Sequence, residues 1–107
     1  MPSKDNYKDV INGKHVSGTG FQISVWKQIA EIPEGQTATY SEIARSIGKP
    51  KSFRAVANAC GQNPFPIAIP CHRVIRSDGG LGGYSGKGGK AKKLALLESE
   101  KLSIKAK

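Results

Sequence analysis

The sequence predicts a small, mainly α-helical domain organised around a helix-turn-helix and a rigid loop that presents a cysteine. Three observations carry that prediction. Apolar residues recur at helical spacing in several separate segments. Two of those segments flank the tight break Gly48-Lys49-Pro50, as the helices of a helix-turn-helix do. A third stretch, Pro64-Phe65-Pro66-Ile67-Ala68-Ile69-Pro70, holds too much proline for a helix or a central strand, yet is apolar enough to be buried.

At 107 residues the chain fits one domain with a core of its own. No apolar run approaches the roughly 20 residues of a membrane span, and no basic-plus-apolar leader opens the chain. The expectation is a monomer outside the membrane, in a reducing cytoplasmic or nuclear compartment. The only two cysteines, Cys60 and Cys71, are spaced neither as a disulfide framework nor as a zinc site. A free thiol is then open to chemistry.

Residues 1 to about 18 are polar, contain glycine and show little periodicity, so 1–20 read as a loosely structured arm with His15 exposed on it. After the Thr19-Gly20 break, Phe21, Val25, Trp26 and Ile29 define an amphipathic helix that ends before Ile32-Pro33-Glu34-Gly35. Thr39 and Glu42 have capping-box spacing, followed by Ile43, Ala44 and Ile47 on one face. Ser52 stands as the cap of a further helix, Phe53 to Cys60, which Gly61-Gln62-Asn63-Pro64 ends. The glycine loop from Asp78 to Gly86 fails the spacing of a P-loop. A last helix is expected over about Lys90 to Glu100 with Leu94 and Leu97 inward, leaving 103–107 as a tail.

The net charge of +9 points to a polyanionic partner. Its placement is more informative. Between Glu42 and Asp78 there is no acidic side chain, whereas Arg45, Lys49, Lys51, Arg54, Arg73 and Arg76 all fall there. The positive field therefore surrounds the segment of Cys71. A cysteine reacts as thiolate and needs a base or a positive environment beside it. His72 is the candidate base, working through a bridging water or a tight turn because adjacent side chains point apart. A carboxylate should orient the imidazole, and spacing alone does not select it.

The run Ile69-Pro70-Cys71-His72-Arg73-Val74-Ile75 resembles the active-site signature of the O6-alkylguanine-DNA alkyltransferases. The likeness extends from about Phe21 to Leu102 and is similar to the family's C-terminal catalytic domain, so 21–102 is the expected domain. The resemblance implies a winged-helix-like helix-turn-helix that enters the minor groove of double-stranded DNA carrying O6-alkylguanine or O4-methylthymine. It implies Cys71 as acceptor nucleophile, His72 as its base and Glu98, in Leu-Leu-Glu, as the carboxylate that holds the histidine. Arg54 matches the arginine that fills the stack after base flipping, and Tyr40 the tyrosine that assists nucleotide rotation. Ser52, Phe53, Ala55, Ala57 and Asn58 accompany Arg54 on the helix that faces DNA. Asn63 matches the asparagine tying that helix to the active-site loop. Val74, Tyr84 and Ser85 match the guanine pocket.

No metal or organic cofactor is implied, and the thioether product makes the expected reaction a single turnover. Phe53 and Asn58 are larger than the residues usual on this groove-facing helix. Cys60 reads as a packing residue. Non-catalytic alkyltransferase-like proteins, which bind the lesion without transfer, typically have tryptophan where this chain has Cys71. A lesion-binding protein of that kind is the second expectation, and a plain helix-turn-helix DNA binder with a structural Cys71 is the third.

Overall fold

Two strands open the fold where an arm was expected. In the computed structural model, which describes residues 7–78, 80 and 89–105, β1 (Tyr7–Ile11) and β2 (Lys14–Gly18) form an antiparallel hairpin. Its turn is Asn12-Gly13, with φ of 48° and 79°, the two-residue geometry that favours Asn-Gly. The hairpin turns one face to the core, where Ile11 and Val16 are buried. The rest of it is largely exposed, His15 included, so an apolar signal of two residues is swamped by polar neighbours. The reading of a loose arm is thereby corrected over residues 7–18, and its first six residues lie outside the described residues.

The helix α1 (Gly20–Ala30) starts from a complete capping box in which Thr19 and Gln22 exchange side-chain and backbone hydrogen bonds. It buries Ile23, Val25, Trp26 and Ile29. A Cβ on Gly18 would sit 2.6 Å from Gln22 Oε1 and 2.9 Å from the Trp26 ring, so β2 can approach α1 this closely only through glycine. The Trp26 indole N–H donates to the Ala59 carbonyl at 2.9 Å, fastening α1 to a later helix. On the solvent side Lys27 reaches Asp9 of β1 at 2.6 Å.

Thr39 plays two parts. It ends the short strand β3 (Ala38–Thr39) and caps α2 (Tyr40–Ser46), where Glu42 completes the expected capping box. After the turn 47–52, α3 (Phe53–Gly61) packs against both α2 and α1. Ser52 occupies the cap position of α3, but its side chain makes no capping bond. The proline-rich segment that follows leads into a 3₁₀ turn, Cys71–Arg73, and then β4 (Val74–Ile75), which pairs in parallel with β3 through Ala38↔Val74 and Thr39↔Ile75.

The last helix, α4 (Gly89–Lys105), continues through residues expected to be a tail. Leu97 is buried as expected, whereas Leu94 is 44% exposed and Lys93 takes the inward place instead. One member of the inward stripe is thus replaced by its neighbour, while Leu97 keeps its place. Among the described residues no helix is long and apolar enough to cross a membrane. The glycine loop at 81–88, with Tyr84 and Ser85, lies outside the described residues.

Candidate functional site

Cys71 and His72 reach the core because a proline-rich segment delivers them and a strand carries the chain away. Cys71 is 2% exposed and His72 fully buried. The parallel β3–β4 pair places this turn beside the start of α2, so Tyr40, the first residue of that helix, sits next to it in the core cluster. His72 Nε2 lies 2.7 Å from Glu100 Oε2. An ionised carboxylate only accepts, so Nε2 carries the hydrogen in this contact. Arg73 clamps the same carboxylate, Nε to Oε1 at 2.9 Å and Nη2 to Oε2 at 2.7 Å, while Nη1 donates to the Ile32 carbonyl at 2.7 Å. This two-pronged geometry fixes the carboxylate plane and with it the imidazole.

The carboxylate expected in this role was Glu98, and the geometry gives it to Glu100. Glu98 is exposed. Lys93, Leu97 and Glu100 follow one another at i, i+4 and i+7, one face of a helix. Glu98 rests on the likeness of Leu-Leu-Glu to the family's glutamate and not on the stripe, and it lies off the face that Lys93, Leu97 and Glu100 share. Burial pushes the Glu100 carboxyl up, but the hydrogen bonds from Arg73 and His72 outweigh it, and it lies below the ordinary glutamate value.

The other ionisable groups here differ sharply. Burial, reinforced by the neighbouring Cys71, pushes the Cys60 thiol up to about 12. Burial likewise raises the Tyr40 phenol to about 12, so it remains a hydrogen-bond donor at neutral pH. Lys93, wholly buried, holds its ammonium 5.8 Å from the centre of the Tyr40 ring, within cation–π range. Among the described residues no three His, Cys, Asp or Glu side chains gather into a metal-binding group.

An open groove of about 630 Å³ lies beside this centre, lined by Tyr40 and Ser41 of α2, Phe53, Arg54, Ala57 and Asn58 of α3, and Arg76, Ser77 and Asp78 beyond β4. Five residues expected to face DNA therefore line one cavity. Ser52 and Ala55 do not line it. The helix α3 buries Val56, Ala59 and Cys60 on its other side. The groove floor is tied by a Ser41–Ser77 hydroxyl contact of 2.9 Å and the exposed Arg76–Asp78 pair at 2.7 Å. The Gly80 amide and Arg76 hold the Asp78 carboxyl below the ordinary range. Asn63, 5% exposed, donates to the Ile69 carbonyl at 2.7 Å and accepts from the Phe65 amide, joining the end of α3 to the loop before Cys71. Val74 is fully buried behind the turn. The sequence marked Arg73 and Arg76 only as part of a positive field, grouped Lys93 with Lys87, Lys90 and Lys92 in a second basic cluster that a solvated face or tail accounts for equally well, and gave no local signal for Ser41. The burial of Lys93 corrects the solvated reading at that position.

Residues 20–102, including the whole cysteine turn, match the family model described as the DNA binding domain of 6-O-methylguanine DNA methyltransferase. The chain belongs to this family. A probable methylated-DNA–protein-cysteine methyltransferase of Acanthamoeba polyphaga mimivirus is 58% identical over 86 residues, 80% of this chain and 56% of that protein. The methyltransferase-family fold also agrees with solved structures. Mycobacterium tuberculosis OGT in complex with DNA superposes with a TM-score of 0.76 at 53% identity, over 79% of this chain and 51% of that one. Schizosaccharomyces pombe Atl1, in complex with damaged DNA containing O6-carboxymethylguanine, gives 0.65 at 36% identity, over 75% of this chain and 74% of that one. The chain spans about half the length of the methyltransferases it matches.

Proposed function

We propose that this protein repairs DNA by moving the alkyl group of O6-alkylguanine onto Cys71, once per molecule. The observation that carries the reading is the chain of contacts Arg73–Glu100–His72 in the turn that holds Cys71, set beside a groove lined by Arg54 and Tyr40. It is a nucleophile, a base and a base-orienting acid at the edge of a cationic surface.

The alkyl carbon of a paired guanine lies inside the duplex, so a protein sulfur reaches it only after the nucleotide rotates out. Arg54, exposed at the start of α3, is placed to enter the stack, with Phe53, Ala57 and Asn58 against the groove walls. His72 takes the Cys71 proton through water at Nδ1 while Nε2 stays on Glu100. The sulfur then forms its bond to the alkyl carbon as the carbon–O6 bond breaks. The electron pair leaves with the guanine, which takes up the proton that the thiol lost. Tyr40, protonated at neutral pH, donates to the departing base. A thioether is a poor leaving group, so the alkylated protein does not return. The matched half of the longer relatives would thus be the part that reacts, and double-stranded DNA its partner.

The test is intact-protein mass spectrometry after mixing with a duplex containing O6-methylguanine. One methyl per chain, mapped to Cys71, is expected. Many lesions repaired per chain, or methyl on Cys60, would overturn the mechanism. The similarity to Atl1 over three-quarters of both chains favours a second reading, a protein that holds the lesion without transfer. Tight retention of the lesion duplex with no gain in mass would establish it.

A further inference from the structure

The loop that delivers Cys71 adopts a backbone that its own sequence does not favour. Ile67 has φ of 77°, a left-handed value that a β-branched residue takes only when its surroundings impose it. Its side chain is 56% exposed, so burial of that side chain is not what imposes it. Two asparagines hold the next two carbonyls. Asn63, after α3, donates to Ile69 at 2.7 Å, and Asn12, in the hairpin turn, donates to Ala68 at 2.7 Å across 56 positions of sequence. Nearby, the Lys14 ammonium lies 5.8 Å from the centre of the Phe65 ring in the same loop.

Asn12 has a turn conformation that asparagine and glycine both satisfy. Its amide is not consumed by the turn. It is spent on a carbonyl three residues before the cysteine.

We propose that the β1–β2 hairpin braces the reactive loop and that Asn12 is a positioning residue for Cys71, acting through the Ala68 carbonyl. The inference rests on Cys71 as the alkyl acceptor. With one grip on each of two successive carbonyls, the strained segment is fixed from the α3 side and from the hairpin side, and the cysteine turn inherits that placement. In-line displacement is sensitive to such placement because the sulfur must stand on the axis of the breaking bond.

The full chain carrying Asn12→Gly keeps the turn and loses the donor; Asn12→Asp keeps the shape and replaces the donor with an acceptor. Single-turnover transfer is measured with free O6-methylguanine and with the methylated duplex, together with affinity for unmodified duplex, thermal unfolding, and hydrogen exchange of the Ile69 and Cys71 amides. Both variants should transfer about three- to tenfold more slowly on both substrates, with unchanged duplex affinity and faster exchange at the two amides. Wild-type rates in Asn12→Gly would overturn the brace. So would a loss confined to the duplex, which makes Asn12 a DNA contact, or a loss that only follows the melting temperature. If the wild-type chain accepts no methyl, the acceptor reading fails. The exchange rates then judge the brace alone, and unchanged rates in Asn12→Gly would sink it.

Discussion

Moving from Glu98 to Glu100 turns the side chain about 200° around α4, from solvent to the imidazole of His72. Glu100→Gln should fold and slow transfer at least about tenfold, part of the roughly 10²–10⁴ that a positioned base supplies, while Glu98→Gln should transfer at the wild-type rate. Single-turnover kinetics on the two variants decide between the acids. Because Glu100 acts through His72, adding Glu100→Gln to His72→Ala should cost little beyond His72→Ala alone. The same carboxyl sets an acid limit on stability. Its folded value lies below the 4.5 of a free glutamate, so the folded state binds fewer protons and the contribution is complete above about pH 4.5. It is lost as pH falls through the folded value. Melting temperature against pH should therefore fall less steeply on the acid side in Glu100→Gln than in the wild type. Cys60 poses the opposite case: with its thiol near 12 almost none is thiolate at neutral pH. Cys71→Ser, which leaves Cys60 as the sole thiol, should accept no methyl from the lesion duplex in peptide mapping.

On α3, Phe53, Arg54, Ala57 and Asn58 line the groove, while Val56, Ala59 and Cys60 are buried and the helix packs against α1 and α2. Arg54→Ala should slow repair of the duplex more than reaction with the free base, since only the duplex needs its stack filled; equal losses on both would remove Arg54 from that role. Gly18→Ala tests the packing of hairpin on helix. A Cβ 2.6 Å from Gln22 and 2.9 Å from Trp26 should lower stability by about 1–3 kcal/mol in urea unfolding. The helices α1, α2 and α3 were legible in the sequence because each announces itself locally, by the stripe of Val25, Trp26 and Ile29, by the Thr39–Glu42 box, or by Gly61 and Pro64 at an end. The hairpin was not, since its apolar face holds little besides Ile11 and Val16, although Asn12-Gly13 is a strong turn pair. The face of α4 was misread for a different reason. Hydrophobicity ranks Leu94 above Lys93, but the buried ammonium lies against the Tyr40 ring, a tertiary contact with no trace in local pattern. The cysteine turn could be found from Pro70-Cys71-His72-Arg73; the partner of His72, 28 positions on, required the fold.

Across the molecule, the stretch between Glu42 and Asp78 carries six arginines and lysines and no acid, and two of its arginines, Arg54 and Arg76, line the groove. Affinity for duplex should fall steeply with salt, with a log–log slope of about −0.9 per phosphate neutralised. Fluorescence anisotropy at several salt concentrations measures it, and Arg76→Ala should flatten the slope by about one such step. The hydrogen bond from Trp26 to Ala59 has a use beyond holding two helices together. Trp26 is the only tryptophan in the chain and is 2% exposed, so the protein's tryptophan emission comes from a single indole whose N–H ends on the helix that lines the groove. The molecule is therefore supplied with its own optical gauge. If α3 meets DNA as a rigid element, the emission maximum stays where it is on titration with duplex; if α3 must lift away from α1 to dock, the indole loses its carbonyl, meets water and shifts to the red.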